Sequence, residues 1–398
     1  MHARVITAVA IGVAALIATN CARPSGRSGG HARVLTDRVV ALSTSRGDLD
    51  KAVSMLRTRL THHPRDTASA VALADALLRQ TRVTGNAGLS SEADRVVTAA
   101  LVASPDDYAA RRMLATIRLS QHRFREAIQE AARCRTVRTD DDVVDGVLGD
   151  AHVELGEYPE AFAAFDRMNA RKPTAASYAR ASYARELQGD LPAASRFMQM
   201  AAEATAPQDI ESLAWHHAQL GHLALEQRQI DLARREYEHA EFLFPGHPFA
   251  AEGRARVAAA SGNPALALDI VNARLQSSSP MPSDFALAGD LLTVLGRSVD
   301  AERQYRLAEA AWRSDVPEPA RLARFLAEHG RHPEEAWTLA EAAFAERKDI
   351  FTADALAWSA FRTGRMAEAR AAIAQALRTG TRDRDIRAHA AAIAKVKG

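Results

Sequence analysis

The segment Leu148-Gly149-Asp150-Ala151-His152 leads into the turn Gly156-Glu157-Tyr158-Pro159-Glu160-Ala161, and the unit ends at Pro173. A small residue, Gly149, stands seven positions before the turn glycine, and Ala161 stands five positions after it. Small side chains at these places let two helices approach each other closely, and proline cannot continue a helix. The segment therefore predicts one helical hairpin.

The same unit recurs along the chain with a nearly constant period. Four consecutive spacings from Arg228 to Gly364 are each 34 residues, and so are the two spacings between Gly88 and Gly156. A period of this length indicates stacked helix-turn-helix units. The turn positions are Gly88, His122, Gly156, Gly189, Arg228, Gly262, Gly296, Gly330 and Gly364.

Two further positions recur at a fixed distance from the turn of each unit. The small residue seven positions before the turn recurs as Ala115, Gly149, Ser182, Gly221, Ala255, Gly289, Ala323 and Ala357. A larger residue stands nine positions after the turn as Leu56, Val97, Phe165, Met198, Tyr237, Tyr305 and Ile373. We expect the small positions to let the first helix of each hairpin nestle against its neighbours.

These landmarks resemble the tetratricopeptide repeat (TPR) family over residues 36–382. The resemblance implies an all-α fold, an α-α superhelix of about ten hairpins, with a capping helix and tail over 383–398. The expected hairpins are 36–64, 67–105, 108–140, 142–173, 175–207, 210–245, 248–280, 283–315, 317–349 and 351–382. The sequence is also similar to exported, lipoprotein-type bacterial TPR proteins with an early Thr-Gly-Asn loop and a late Ala-Asp-Ala-Leu-Ala-Trp segment, a likeness that supplies no biochemical role.

Two hairpins depart from the pattern. In the second, we expect a longer turn over Arg82–Ser90, interpreted as a surface insertion in preference to a binding loop. In the ninth, Ala336 comes one residue late, which predicts a shifted second helix.

The N-terminus has the pattern of an export signal. A short basic start precedes an apolar run from Val5 to Thr19, so residues 1–21 are predicted to be a signal peptide. The residues before Cys21 resemble a bacterial lipobox, although Asn20 stands where such signals prefer a small residue. A lipoprotein lipidated at Cys21, a soluble exported protein, and a retained anchor or misread start all remain open. Residues 22–35 have the composition of a flexible linker.

Charge and motifs limit the function classes. The net charge is +2, but Arg4, Arg23, Arg27 and Arg33 precede the repeats, which leaves about −2 for the remainder. No basic stripe for nucleic acid is expected. Phosphate-loop, nucleophile-elbow and metalloprotease motifs are missing, so we predict no enzyme, no cofactor and no metal site. The spacing of His216, His217 and His222 does not place three ligands on one helical face.

The inner wall of a TPR superhelix is made by the first helices of its hairpins. The residue after each small position should face inward, and aromatic and arginine side chains there favour binding. We predict a groove for a peptide or partner helix centred on Tyr183, Trp215, His222, Phe249 and Arg256 and continued by Asp290, Arg324 and Trp358. For Trp215 and Phe249, packing between repeats is an equally strong interpretation.

The sequence therefore predicts a non-enzymatic scaffold that binds a protein or peptide at the bacterial cell envelope. We expect membrane contact only through a possible N-terminal lipid anchor. The alternative is a structural subunit of an envelope assembly or secretion complex, and an enzyme with a non-standard active site is a third hypothesis.

Overall fold

The fold is a row of helices without strands over the residues that the computed structural model describes, which are 46–277, 280–314 and 319–396. The predicted signal peptide with Cys21, the linker 22–35 and the start of the first hairpin lie outside these ranges. None of the described helices is both long and apolar enough to cross a membrane.

The helices are numbered here in chain order. They are α1 Arg46–His62, α2 Thr67–Thr84, α3 Ala87–Ala103, α4 Tyr108–Ser120, α5 Phe124–Val137, α6 Asp142–Leu155, α7 Tyr158–Arg171, α8 Ala175–Leu187, α9 Leu191–Ala204, α10 Ile210–Glu226, α11 Ile230–Leu243, α12 Pro248–Ala260, α13 Pro264–Leu275, α14 Pro282–Val294, α15 Ser298–Ser314, α16 Pro319–Glu328, α17 Pro333–Glu346, α18 Ile350–Arg362, α19 Met366–Ala376 and α20 Arg384–Lys395.

Consecutive helices pack in pairs, which confirms the all-α solenoid. Hairpin 2 is α2 with α3, hairpin 4 is α6 with α7, and the series continues to hairpin 10, which is α18 with α19. Helix α1 takes the place of the second helix of hairpin 1, and α20 packs against both helices of hairpin 10.

The small and bulky positions meet inside each hairpin. A methyl group added at Gly221 would lie 2.9 Å from Cδ1 of Tyr237, and one at Gly149 would overlap the ring of Phe165. The ring of the second helix thus lies directly over the backbone of the first. This contact explains why the small residue and the large residue recur together.

The turns of hairpins 2 and 9 differ from those of the other hairpins; the first contradicts a prediction and the second confirms one. In hairpin 2 the residue with left-handed backbone is Gly85 (φ 73°), whereas Gly88 lies inside α3. The expected long turn over Arg82–Ser90 is therefore wrong, because most of these residues extend α2 and α3. In hairpin 9, both Gly330 (φ 66°) and His332 (φ 40°) have positive φ, and this longer turn delays the start of α17 as the sequence predicted.

The superhelix is wound tightly enough for distant hairpins to touch. The Lys348 N–H donates to the Leu155 carbonyl at 3.3 Å, the Ile350 N–H donates to Oη of Tyr158 at 2.9 Å, and Arg347 forms an ion pair with Glu154. We call these six residues the closure contact. It joins the turn of hairpin 4 to the linker between hairpins 9 and 10.

Candidate functional site

The predicted groove residues lie on the first helices of hairpins 5 to 10, as expected. Their side chains, however, are mostly removed from solvent. The exposed fractions are Tyr183 9%, Trp215 4%, His222 7%, Arg256 6%, Asp290 8%, Arg324 8% and Trp358 5%. Phe249 is half-buried. The prediction that these side chains line an open groove is therefore corrected, and their role in partner binding stays a prediction.

Internal polar contacts engage the charged members of this set. His222 Nε2 lies 2.9 Å from Oε1 of Glu186. Burial would lower the pKa of His222, but the charge of Glu186 and the hydrogen bond to it outweigh burial, so the pKa lies above its ordinary value. Arg256 pairs with Glu252 four residues earlier on α12. These groups pair within the fold, which favours a structural role.

Asp290 belongs to a contact between hairpins 8 and 9. It accepts a hydrogen bond from Tyr305 at 3.0 Å, and His329 Nε2 lies 3.0 Å from the same oxygen. Burial would lower the pKa of His329, but Asp290 raises it above its ordinary value. The pair ties neighbouring first helices together.

Arg324 and Trp358 are covered by the last helix. Arg324 pairs with Glu328 at 2.7 Å and with Asp385 of α20. The ring of His389 stacks on Trp358 with centroids 4.1 Å apart, and its Nδ1 lies 2.9 Å from Asp354. Helix α20 thus occupies this part of the inner wall.

Trp215 and Phe249, for which the sequence left partner binding and packing open, both pack against the core. Trp215 belongs to the main hydrophobic core, and its Nε1 has no hydrogen-bond partner within the part of the chain that the structure describes. Phe249 packs against the cores of two clusters. Both observations favour packing between repeats over partner contact.

The histidines named above lie in different surroundings. His216 is fully buried, and burial lowers its pKa to about 3, whereas His217 faces Glu236 at 2.7 Å. The described residues contain no group of three or more histidine, cysteine or acidic side chains that could hold a metal ion.

Cys134 is buried, and burial raises the pKa of its thiol to about 11. This thiol is unsuited to nucleophilic chemistry.

An open cavity of about 650 Å³ lies beside the inner wall, and the sequence analysis missed it. We call it the arginine basin. Its lining is Leu191, Pro192, Glu226, Gln227, Arg228, Gln229, Arg382, Arg384, Arg387 and Ala388. All four arginines are exposed. The available signal was the series Arg382, Arg384 and Arg387, which stands at the junction between the last predicted hairpin and the predicted capping helix.

The arginine basin adjoins the centre of the predicted groove. A second cavity, of only about 20 Å³, is lined by Tyr183 and His222 together with Leu191 and Glu226, and the last two residues also line the arginine basin. Tyr183 and His222, at the centre of the predicted groove, thus lie beneath residues that line the open arginine basin.

Sequence and structure comparisons show which known proteins the repeats resemble. A model of the tetratricopeptide repeat family matches residues 219–282. Residues 219–282 therefore resemble tetratricopeptide repeats. A search of curated proteins by sequence gave no match.

Solved structures share this TPR architecture at low identity. One is the APC/C hetero-tetramer Cut9-Hcn1, with 16% identity, a TM-score of 0.56, and coverage of 83% of this chain and 63% of that chain. This chain therefore spans less than two thirds of that relative. Another is the human IFIT1 dimer with PPP-AAAA, with 14% identity, a TM-score of 0.54, and coverage of 89% and 96%. At such identities the likeness shows the fold alone.

The TPR fold by itself does not determine whether the partner is a protein or a nucleic acid. TPR domains generally bind proteins and are typically non-catalytic scaffolds. The IFIT1 structure contains a nucleic-acid ligand on a similar fold. The expected exclusion of nucleic acid therefore has no support from the fold.

Proposed function

We propose that this TPR protein is a non-enzymatic scaffold that binds a protein or peptide partner on the inner side of its superhelix, at the bacterial cell envelope. The observation that carries the proposal is the arginine basin, an open cavity next to the inner first helices in a solenoid of a typically non-catalytic family. Its volume falls within the range of roughly 300–1,000 Å³ that is usual for ligand pockets.

The test must use exposed residues. Tyr183 and Arg256 are buried, so alanine at either position would report on stability as well as on binding. Gln229 lines the arginine basin and is exposed, whereas Phe242 on α11 is 82% exposed and does not line it. These two positions form a matched pair for a photo-crosslinking amino acid.

Crosslinking in cells should yield protein adducts from position 229 and few from position 242. Many adducts of different mass would indicate a receptor for several clients. One adduct that co-purifies in fixed stoichiometry would instead favour the alternative, a structural subunit of an assembly or secretion complex. Equal adduct patterns at both positions would count against binding at the basin.

The envelope location rests on the N-terminal pattern. If Cys21 is lipidated, mass spectrometry of the mature protein should find an acylated cysteine at its N-terminus, and Cys21→Ala should move the protein from the membrane fraction to the soluble fraction. An unprocessed N-terminus in the cytoplasmic fraction would contradict the proposed location.

A further inference from the structure

We infer that the arginine basin binds an acidic peptide segment, rich in aspartate or glutamate, of the partner protein. The inference rests on the proposed function and specifies its ligand. The occupant is a chain of carboxylates in an extended peptide.

The positive charge of the basin comes from separate parts of the fold. Arg228 lies in the turn of hairpin 6, where it has positive φ (61°), while Arg382 precedes α20. Arg384 and Arg387 lie on α20 itself. The turn and α20 form different sides of one cavity, so a ligand between them would meet guanidinium groups from two elements.

These four arginines form no ion pair with the described part of the chain. No ion pair within 4.0 Å joins any of the four to an acidic residue of the described chain, whereas Arg313, Arg324 and Arg331 each pair with two carboxylates. Among the described lining residues, the only acidic one is Glu226; burial raises its pKa above the ordinary value, and the charges of His222 and Arg384 oppose that rise. The cavity therefore carries an excess of positive charge that an anion would balance.

The start of α20 does not itself supply the binding groups. Asp383 caps this helix by accepting hydrogen bonds from the backbone N–H groups of Asp385 and Ile386. The groups left for a ligand are the arginine side chains. A guanidinium group donates two parallel hydrogen bonds, a geometry that fits both carboxylate and phosphate.

The remaining lining favours a peptide over single-stranded nucleic acid. Binding of single strands relies on aromatic side chains that stack on bases, and none of the described residues that line the basin is aromatic. Its uncharged lining includes Leu191 and Pro192, which offer apolar contact, and Gln229, whose amide suits a peptide backbone. Charge complementarity together with these neighbours favours an acidic peptide.

The test measures the binding of a fluorescent hexaglutamate peptide with blocked ends to the folded protein by anisotropy. A hexadeoxyadenylate of the same length and a hexaglutamine peptide serve as comparison probes. The basin variant is Arg384→Gln/Arg387→Gln, and a second variant, Arg228→Gln, removes charge from the other element. The matched control is Arg303→Gln/Arg306→Gln, which removes two exposed arginines from α15 outside the basin.

We expect hexaglutamate to bind more tightly than hexadeoxyadenylate, with hexaglutamine not binding. The basin variant should weaken hexaglutamate binding at least tenfold and Arg228→Gln at least threefold, while the control changes it less than twofold. Equal losses in basin and control variants would overturn the inference, because they would indicate attraction by net charge alone. Basin-dependent preference for hexadeoxyadenylate would overturn it too, in favour of nucleic acid.

The two proposals fail in distinguishable ways. If hexaglutamate binds at the basin but position 229 yields no protein adducts in cells, the proposed function fails and the basin chemistry stands. If adducts at position 229 persist unchanged in the Arg384→Gln/Arg387→Gln variant, the partner is real and the acidic segment is wrong.

Discussion

Glycine at the small position of a hairpin makes room for an aromatic ring of the same hairpin. Gly149 and Phe165 show this in hairpin 4, and Gly221 and Tyr237 show it in hairpin 6. The sequence showed that both residues keep a fixed distance from the turn, and the structure adds that they touch. A local contact of this kind repeats whenever the hairpin repeats, so its period is visible in the sequence alone.

Gly149→Ala should destabilise the protein by about 1–3 kcal/mol, because the new methyl group would overlap the Phe165 ring in a packed core. Without this overlap, alanine would be favoured in a helix by about 1 kcal/mol. Urea unfolding of the single variants and of Gly149→Ala/Phe165→Leu would measure the coupling. In the Phe165→Leu background the added methyl group should cost little, and a cost equal to that in the wild-type background would contradict the steric explanation.

Residue partners that are distant in the sequence were not predictable in the same way. The sequence placed Arg324 on the inner wall as a candidate for binding, and the structure pairs it with Asp385, 61 residues away. No period connects these two positions. The sequence therefore predicted that charged inner residues bind a partner, whereas in the structure they form ion pairs within the fold.

At the scale of elements, the repeat period predicted most helices correctly but placed the turn of hairpin 2 at the wrong residue. The constant period predicted the turn at Gly88, whereas the residue with positive φ is Gly85. The second helix α3 has 17 residues, whereas the second helices α5 and α7 have 14, and the additional residues of α3 lie at its N-terminus. A second helix that begins early cannot be recognised from a period measured on its shorter neighbours.

The last helix, α20, holds the end of the solenoid through buried contacts. Asp385→Ala should destabilise the protein by about 2 kcal/mol, because it leaves the buried Arg324 with Glu328 as its remaining described partner. Asp300→Ala removes a more exposed ion pair with Arg297 and should change stability by less than about 1 kcal/mol. Thermal unfolding of both variants provides the measurement. Equal effects would show that α20 is not anchored through this pair.

At the scale of the whole molecule, the sequence predicted a curved rod and an accessible inner wall. The path of the superhelix depends on small rotations summed over many repeats, and no residue pattern records that sum. The closure contact shows the result, since hairpin 4 touches the linker before hairpin 10. The inner residues are buried in this tight winding, and the open surface lies at the arginine basin.

The closure contact should also make unfolding more cooperative. Repeat arrays are stabilised by nearest-neighbour contacts, so distant hairpins of an open array unfold almost independently. Tyr158→Phe/Arg347→Ala removes the hydrogen bond to Ile350 and the ion pair with Glu154, with a combined cost of about 2 kcal/mol. Hydrogen exchange should then accelerate both around residues 155–158 and around 347–352, although these segments lie far apart in the sequence.

The matched control is Arg313→Ala, which removes ion pairs with Glu309 and Glu335 within and between neighbouring hairpins. It should accelerate exchange only locally and leave a single unfolding transition. In the closure variant, by contrast, urea unfolding should broaden or separate into two steps, because hairpin 10 is then coupled more weakly to hairpin 4. A single transition with unchanged slope and exchange confined to one segment would show that the contact does not couple the hairpins, and that stability in this solenoid stays between neighbours.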